Sequence, residues 1–242
     1  MRNFGKIKAI VFDVGNTLFD VNGNVKISLD AMVHVLRVSG INVSTRNRIY
    51  HLFSESLYKC QSPHIDTYFL EDQHFRFFLK KLRVEELDPL FQLAKATYRG
   101  VASELLKPNP RLISLLTKLK SKYKLGVLSD SRSDVARSIL FKIGVLGFFD
   151  VVVVSEDLGV EKPNQLLFKK VLSELRCSPE EVIYVGDSLE KDIAGGNRAG
   201  MKTVWIVPEK SPIFRTVTSG DIKPDFAIKR LSDLTELLKD LT

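Results

Sequence analysis

The second half of the chain repeats one rhythm. A stretch with apolar residues three and four apart is followed each time by a short, almost wholly apolar run. The runs are KLGVLSD (124–130), FFDVVVVS (148–155), EVIYVGD (181–187) and KTVWIV (202–207). The stretches before them are RLISLLTKLKSKY, SDVARSILFKIG, NQLLFKKVLSEL and KDIAGGNRAG. A last short strand, DFAI, precedes a C-terminal helix. Apolar strands separated by amphipathic helices imply a parallel sheet covered on both faces. The fold class expected is therefore α/β, a three-layer, doubly wound, mostly parallel sheet.

IKAIVFD (7–13) reads as one more buried strand, but a different texture separates it from the others. From about 28 to 107 the pattern is helical, as in SLDAMVHVLRVSG and DTYFLEDQHFRFFLKKL. Ser28 is the expected N-cap of the first of these helices and Gly40 its expected stop. Two prolines in KPNP (107–110) end the block. The first strand joins the same sheet only if the helical block is inserted into it. The expected domains are an α/β core of residues 1–22 and 108–242 and a helical cap of residues 23–107.

Composition narrows the function classes. With 242 residues, 44% of them hydrophobic, the chain can bury a full core. No apolar segment approaches the ~18 residues of a membrane span. The apolar part of MRNFGKIKAIVFD is too short for a secretory leader, so a cytoplasmic location is expected and no membrane partner. Cys60 and Cys177 form no C-x-x-C pattern and read as inert thiols. The net charge of +7 suits an anionic partner, yet the cations are scattered. The densest group, KLKSKYK (118–124), sits at a predicted helix end, where the dipole favours cations. Without a basic stripe, an aromatic platform or a zinc pattern, no nucleic-acid partner is expected. The sequence carries no signal of oligomeric state.

In an open α/β sheet, ligands bind beyond the carboxyl ends of the strands. Four of those positions carry reactive groups: Asp13 in DVGNT, Ser129 in LSDS, Lys162 in VEKP, and Asp187 with Asp192 in GDSLEKD. Singly each has a bland reading. Aspartate and serine after a strand form turns or cap helices, and a lysine before proline is a solvated loop charge. Together they place a carboxylate nucleophile, a hydroxyl, a cation and two further acids on one patch. Three close carboxylates repel unless a cation neutralises them. Mg²⁺ suits such a set, since it takes oxygen ligands from a few carboxylates, waters and a phosphate. Gly186 lets the backbone approach the patch closely, while Gly195, Gly196 and Gly200 serve the helix that follows and its exit turn.

The order DxxxT, hhhS, KP and GDxxxxD…AGM resembles the haloacid dehalogenase superfamily of phosphohydrolases, over nearly the whole chain. The helical insert directly after the first motif resembles their cap of the first type, on a Rossmann-like core. The resemblance implies Asp13 as a nucleophile that forms an aspartyl phosphate and Ser129 as a donor to a phosphoryl oxygen. It implies Lys162 as the cation that holds Asp13 and neutralises the phosphoryl group. Asp13, the carbonyl of Gly15, Asp187 and Asp192 would bind Mg²⁺. Amides of residues 14 and 130 would add oxyanion donors, which places Asp130 with Ser129 and Lys162 at the substrate. The expected activity is hydrolysis of a small phosphorylated metabolite.

At one position the chain departs from the family's phosphatases. They read DxD in the first motif, and the second aspartate serves as general acid and base. Here that position is Gly15, which keeps a carbonyl and loses the proton shuttle. General acid–base assistance is worth about 10²–10⁴ in rate. The loss falls hardest on alkyl esters, less on aryl esters, and least on acyl phosphates with their acidic leaving groups. Asn16 cannot act as an acid at neutral pH. Asp20 is expected to open a turn in FDVNGN. Glu71, Asp72 and His74 of the cap are further candidates for a proton donor.

The four histidines, His34, His51, His64 and His74, read as surface or packing residues. Phe53, Tyr58, Tyr68, Phe69 and Phe75 have the helical spacing of a core. A non-catalytic binder of a phosphate ligand is the alternative reading, prompted by the same Gly15. Dehalogenases of the superfamily read DxYGT and lack the GDxxxxD acids. Phosphonate-cleaving relatives need a cap lysine, for which Lys59, Lys80 and Lys81 are available.

Overall fold

The computed structural model describes residues 6–43, 45–59, 72–208 and 221–239. Cys60, His64, Tyr68, Phe69 and Glu71 lie outside them, as does the first part of DTYFLEDQHFRFFLKKL. The strands are β1 (Ala9–Phe12), β2 (Lys124–Ser129), β3 (Val151–Val154), β4 (Val182–Gly186), β5 (Lys202–Ile206) and β6 (Phe226–Ile228). They form one six-stranded sheet in the order β3-β2-β1-β4-β5-β6. Every neighbouring pair is parallel. Among the described residues, four helices lie between β1 and the end of the helical block: α1 (Val21–Val38), α2 (Arg46–Lys59), α3 (Asp72–Lys81) and α4 (Pro89–Leu105). Then come α5 (Pro110–Lys120) before β2, α6 (Ser133–Lys142) before β3, and α7 (Ser155–Leu158) and α8 (Gln165–Leu175) before β4. α9 (Ala194–Arg198) precedes β5, and α10 (Leu234–Lys239) follows β6.

β1 and β4 are buried at every residue, as strands covered on both faces must be. On one face, Ala9, Val11, Val153 and Tyr184 pack against Leu167, Phe168, Val171 and Leu175 of α8. The apolar positions of NQLLFKKVLSEL thus supply the inner stripe of a helix that starts at an Asn164 cap, whose side chain accepts from Leu166 N–H. At the other end of the fold's logic, Asn109 of KPNP caps α5 and Pro110 is its first residue. The prolines therefore mark a boundary because one of them starts a helix.

The chain divides into two compact units. One draws on the described residues of Met1–Phe19, Lys107–Glu209 and Val217–Thr242, the other on those of Asp20–Leu106. The first division falls ahead of Asp20 rather than after residue 22, for a reason visible at α1. Ser28 is not its cap. The helix starts at Val21, and the Asp20 carboxylate accepts the Gly23 N–H at 2.8 Å. FDVNGN is thus a helix start, not a turn. Ser28 is buried in the helix interior and donates to Asn24 Oδ1, while Asn24 donates to the Ala102 carbonyl in α4. Packing on α4 overrides the turn preference of Asn and Gly. Gly40, at φ +86°, ends the helix as expected. In the same unit Phe53, Phe75, Phe78 and Tyr98 are buried, with ring pairs 5.4–5.8 Å apart.

Candidate active site

β1 lies between β2 and β4, so the chain leaves it to one side of the sheet and returns on the other. That switch point is where an open parallel sheet leaves a crevice at its strand ends. Asp13 is the first residue past β1, and its N–H donates to the Val185 carbonyl of β4 at 2.9 Å. Asp187 is the first residue past β4, and Ser129 is the last residue of β2, buried. Asp192 comes into reach through a single π-helical turn, Leu189–Ile193, in which the N–H groups of Asp192 and Ile193 both donate to the Ser188 carbonyl. Such turns are short, and they recur at functional sites.

The lysine completes the cluster. Lys162 is buried, and its ammonium lies 2.6 Å from Asp13 Oδ1 and 2.7 Å from Asp192 Oδ1. One oxygen from each of Asp13, Asp187 and Asp192 lies within 4.8 Å of the other two. Asp192 Oδ2 accepts the Ser188 N–H at 3.0 Å. A β-carbon on Gly186 would stand 2.4 Å from Asp192 Cγ, so only glycine fits there.

The electrostatics follow from burial of like charges. Burial pushes the Asp13 carboxyl up to about 6; Lys162 opposes the rise and Asp192 adds to it. Asp187 is pushed up to about 8, by burial first and then by Asp13 and Asp192, while Lys162 and the Asn16 amide pull the other way. Burial works against the Lys162 charge, but Asp13 and Asp192 outweigh it and hold the ammonium well above its ordinary range.

The role expected of Asp130 at the substrate rests on its backbone amide. In the structure its side chain serves two lysines. Oδ1 accepts the Lys162 backbone N–H at 2.8 Å and Oδ2 accepts Lys191 Nζ at 2.9 Å. Lys191 also reaches Glu161 Oε2 at 3.3 Å. Gly15 is half-buried and bridged to Phe19, and the next residue, Asn16, sits at φ 53° and donates to Asp187 Oδ2 at 3.3 Å. Asparagine tolerates that left-handed backbone better than most residues.

Four residues at this site escaped the sequence reading as participants: Asn16, Tyr184, Lys191 and Trp205. Trp205 Nε1 donates to the Asp187 carbonyl at 2.8 Å, and the Tyr184 hydroxyl lies 3.0 Å from Asp192 Oδ1. The available signal for Tyr184 was a single polar tip within the apolar run that leads into Gly186 and Asp187. The proton-donor candidates Asp20, Asp72 and His74 belong to the second unit. There Asp20 caps α1, Asp72 pairs with Lys95 and Arg99, and His74 is buried.

Residues 10–206 match the model of the haloacid dehalogenase-like hydrolase family. A glyceraldehyde 3-phosphate phosphatase of Methanothermobacter thermautotrophicus is 33% identical over 233 residues, 96% of this chain and 100% of the relative. The pyrimidine 5'-nucleotidase YjjG of Escherichia coli is 33% identical over 173 residues, 70% of this chain and 72% of the relative. Among solved structures, the HAD-hydrolase YfnB of Bacillus subtilis superposes with a TM-score of 0.68 at 23% identity, over 97% of this chain and 100% of its own. The family match spans the site and runs from β1 through β5, and on it the chain belongs to the haloacid dehalogenase-like hydrolases.

Proposed function

We propose that this protein is a Mg²⁺-dependent phosphohydrolase of a small phosphorylated metabolite, working through an aspartyl phosphate on Asp13. The observation that carries the reading is the buried Lys162 ammonium held between Asp13 and Asp192, beside a third carboxylate on Asp187. The names of the two sequence relatives agree, since each denotes a phosphatase of a small phosphorylated molecule.

The residues fit a small, hard cation. Their donors are all oxygen, their ligand atoms lie within 4.8 Å of one another, and burial, with Asp13 and Asp192 beside it, pushes the Asp187 carboxyl up to about 8. Asp13, Asp187, Asp192 and the Gly15 carbonyl would hold the ion. When bound, Mg²⁺ neutralises charge on the phosphoryl oxygens and lets the carboxylates ionise together.

The chain's own groups supply the rest. Lys162 holds Asp13 by Oδ1, leaving the other oxygen to attack phosphorus. A bond from Asp13 to phosphorus forms as the ester oxygen departs with its electron pair. Ser129, at the end of β2, is the candidate donor to a phosphoryl oxygen, with the amides of residues 14 and 130 beside it. Water then attacks phosphorus, frees Asp13 and releases phosphate. Position 15 has no side chain to protonate the departing oxygen, so weakly basic leaving groups are favoured.

The test is steady-state hydrolysis of p-nitrophenyl phosphate, acetyl phosphate and glycerol phosphate, with Mg²⁺ and with chelator. Aryl and acyl substrates are expected to turn over well and the alkyl ester poorly. Asp13→Asn is expected to lower kcat by roughly 10³-fold or more. Turnover that survives Asp13→Asn or chelation overturns the reading. Saturable, Mg²⁺-dependent ligand binding without phosphate release would favour the binding protein that Gly15 also suggests.

A further inference from the structure

Beyond the acids and the lysine, one more group at this site has a defined hydrogen-bonding position, the phenol of Tyr184. The ring is fully buried, its centroid 5.3 Å from that of Phe168, and the core needs only an apolar ring there. Its hydroxyl, by contrast, lies among charges. It is 3.0 Å from Asp192 Oδ1, 3.3 Å from the Leu128 carbonyl oxygen and 3.5 Å from Lys162 Nζ. A buried phenol must satisfy its proton, and the nearer, charged acceptor takes it.

We propose that Tyr184 is a positioning residue that, through its hydroxyl, holds Asp192 and thereby fixes the Lys162 ammonium against Asp13. The proposal rests on the phosphohydrolase reading and names a further residue for it. Asp192 Oδ1 receives two donors, Lys162 Nζ at 2.7 Å and the Tyr184 hydroxyl, while Oδ2 receives Ser188 N–H. The carboxylate therefore cannot rotate without breaking a buried bond. Lys162 in turn has its hydrogens directed at Asp13 Oδ1 and Asp192 Oδ1, with the phenol oxygen and the Leu128 carbonyl both 3.5 Å from its nitrogen. Removing the phenol oxygen frees one side of this arrangement while the ring continues to fill the core. Phenylalanine makes that change and no other.

The experiment compares full-length wild type and Tyr184→Phe by two readouts. The first is hydrogen exchange of the Lys162 ammonium, followed by proton–nitrogen NMR of the metal-free protein and assigned by its loss in Lys162→Met. Exchange is expected to be about tenfold faster in Tyr184→Phe, the scale of a lost hydrogen bond to a charged group. The second is p-nitrophenyl phosphate hydrolysis, where kcat is expected to fall about tenfold with KM within about twofold. A residue that only fills the core would change the melting temperature and neither of these. Ammonium exchange within about twofold of wild type overturns the proposal, whatever the kinetics show. Absence of phosphate release by wild type would instead sink the phosphohydrolase reading, and the ammonium signal would still decide the role of Tyr184.

Discussion

At position 15 the missing side chain is expected to set the substrate range. A second carboxylate would donate a proton to the leaving alkoxide and later take one from water. With Gly15 the family's preference among leaving groups should tilt toward weakly basic ones. Gly15→Asp is expected to raise kcat on glycerol phosphate by about tenfold or more and that on acetyl phosphate far less. The ratio of the two rates, measured with saturating Mg²⁺, checks it, and an unchanged ratio in a folded variant refutes it. Gly186 carries the opposite constraint. Its missing β-carbon is what lets Asp192 sit 2.4–2.6 Å from where that atom would be. Gly186→Ala must push the carboxylate or the strand end aside, and is expected to cost about 1–3 kcal/mol and most of the activity. Denaturant unfolding and hydrolysis assays read the two effects. Asp13, Lys162, Asp187 and Asp192 were legible in the sequence because each follows an apolar run or a motif of fixed spacing. Tyr184 and Asn16 were not, because their roles depend on which atoms face them across the sheet and the loop, and spacing along the chain does not encode that.

Elements show a similar division. The strands were readable because burial on both faces leaves them almost wholly apolar. The start of α1 was not, because Asp20, Asn22, Gly23 and Asn24 spell a turn locally and become helix only through the Asp20 cap and the Asn24 bond to α4. The loop after β2 gives a sharper case. Asp130 is expected at the phosphate through its backbone amide, and its carboxylate, to which the sequence gives no role, ties that loop to the Lys162 backbone and to Lys191 beside Asp192. Three loops that carry site residues thus meet at one side chain. Asp130→Ala is expected to lower kcat by about tenfold, since it leaves the Lys162 N–H unpaired. Asp130→Asn keeps an acceptor for that N–H and should retain most of the rate, because the half-exposed Lys191 pair contributes little. Equal losses in both variants would mean that the charge, not the backbone hydrogen bond, matters.

For the molecule as a whole, the same buried acids tie stability to pH. Burial pushes the Asp13 carboxyl up to about 6 and, with Asp13 and Asp192 beside it, the Asp187 carboxyl up to about 8, against an ordinary aspartate value of 3.8. Above pH ~4 the unfolded chain has released those protons and the folded chain still holds them. The folded state therefore binds more protons across the window, and its stability falls as pH rises from about 4 to about 8. A melting temperature lower by at least ~3 °C at pH 8.5 than at pH 5.5 is expected for the metal-free protein, since ~1 kcal/mol moves a chain of this size by a few degrees. Mg²⁺ held as proposed would reverse the sign of the effect at the site, because it would bind the ionised carboxylates and be released by their protonation. Saturating Mg²⁺ should raise the melting temperature more at pH 8.5 than at pH 5.5, and so flatten the slope. Asp187→Asn removes the group with the largest rise, and should flatten the metal-free slope even without the ion. Thermal scans of both proteins at the two pH values, with Mg²⁺ and with chelator, give all the terms. A metal-free wild type that grows more stable toward pH 8.5 would mean that the three carboxylates do not share one buried site.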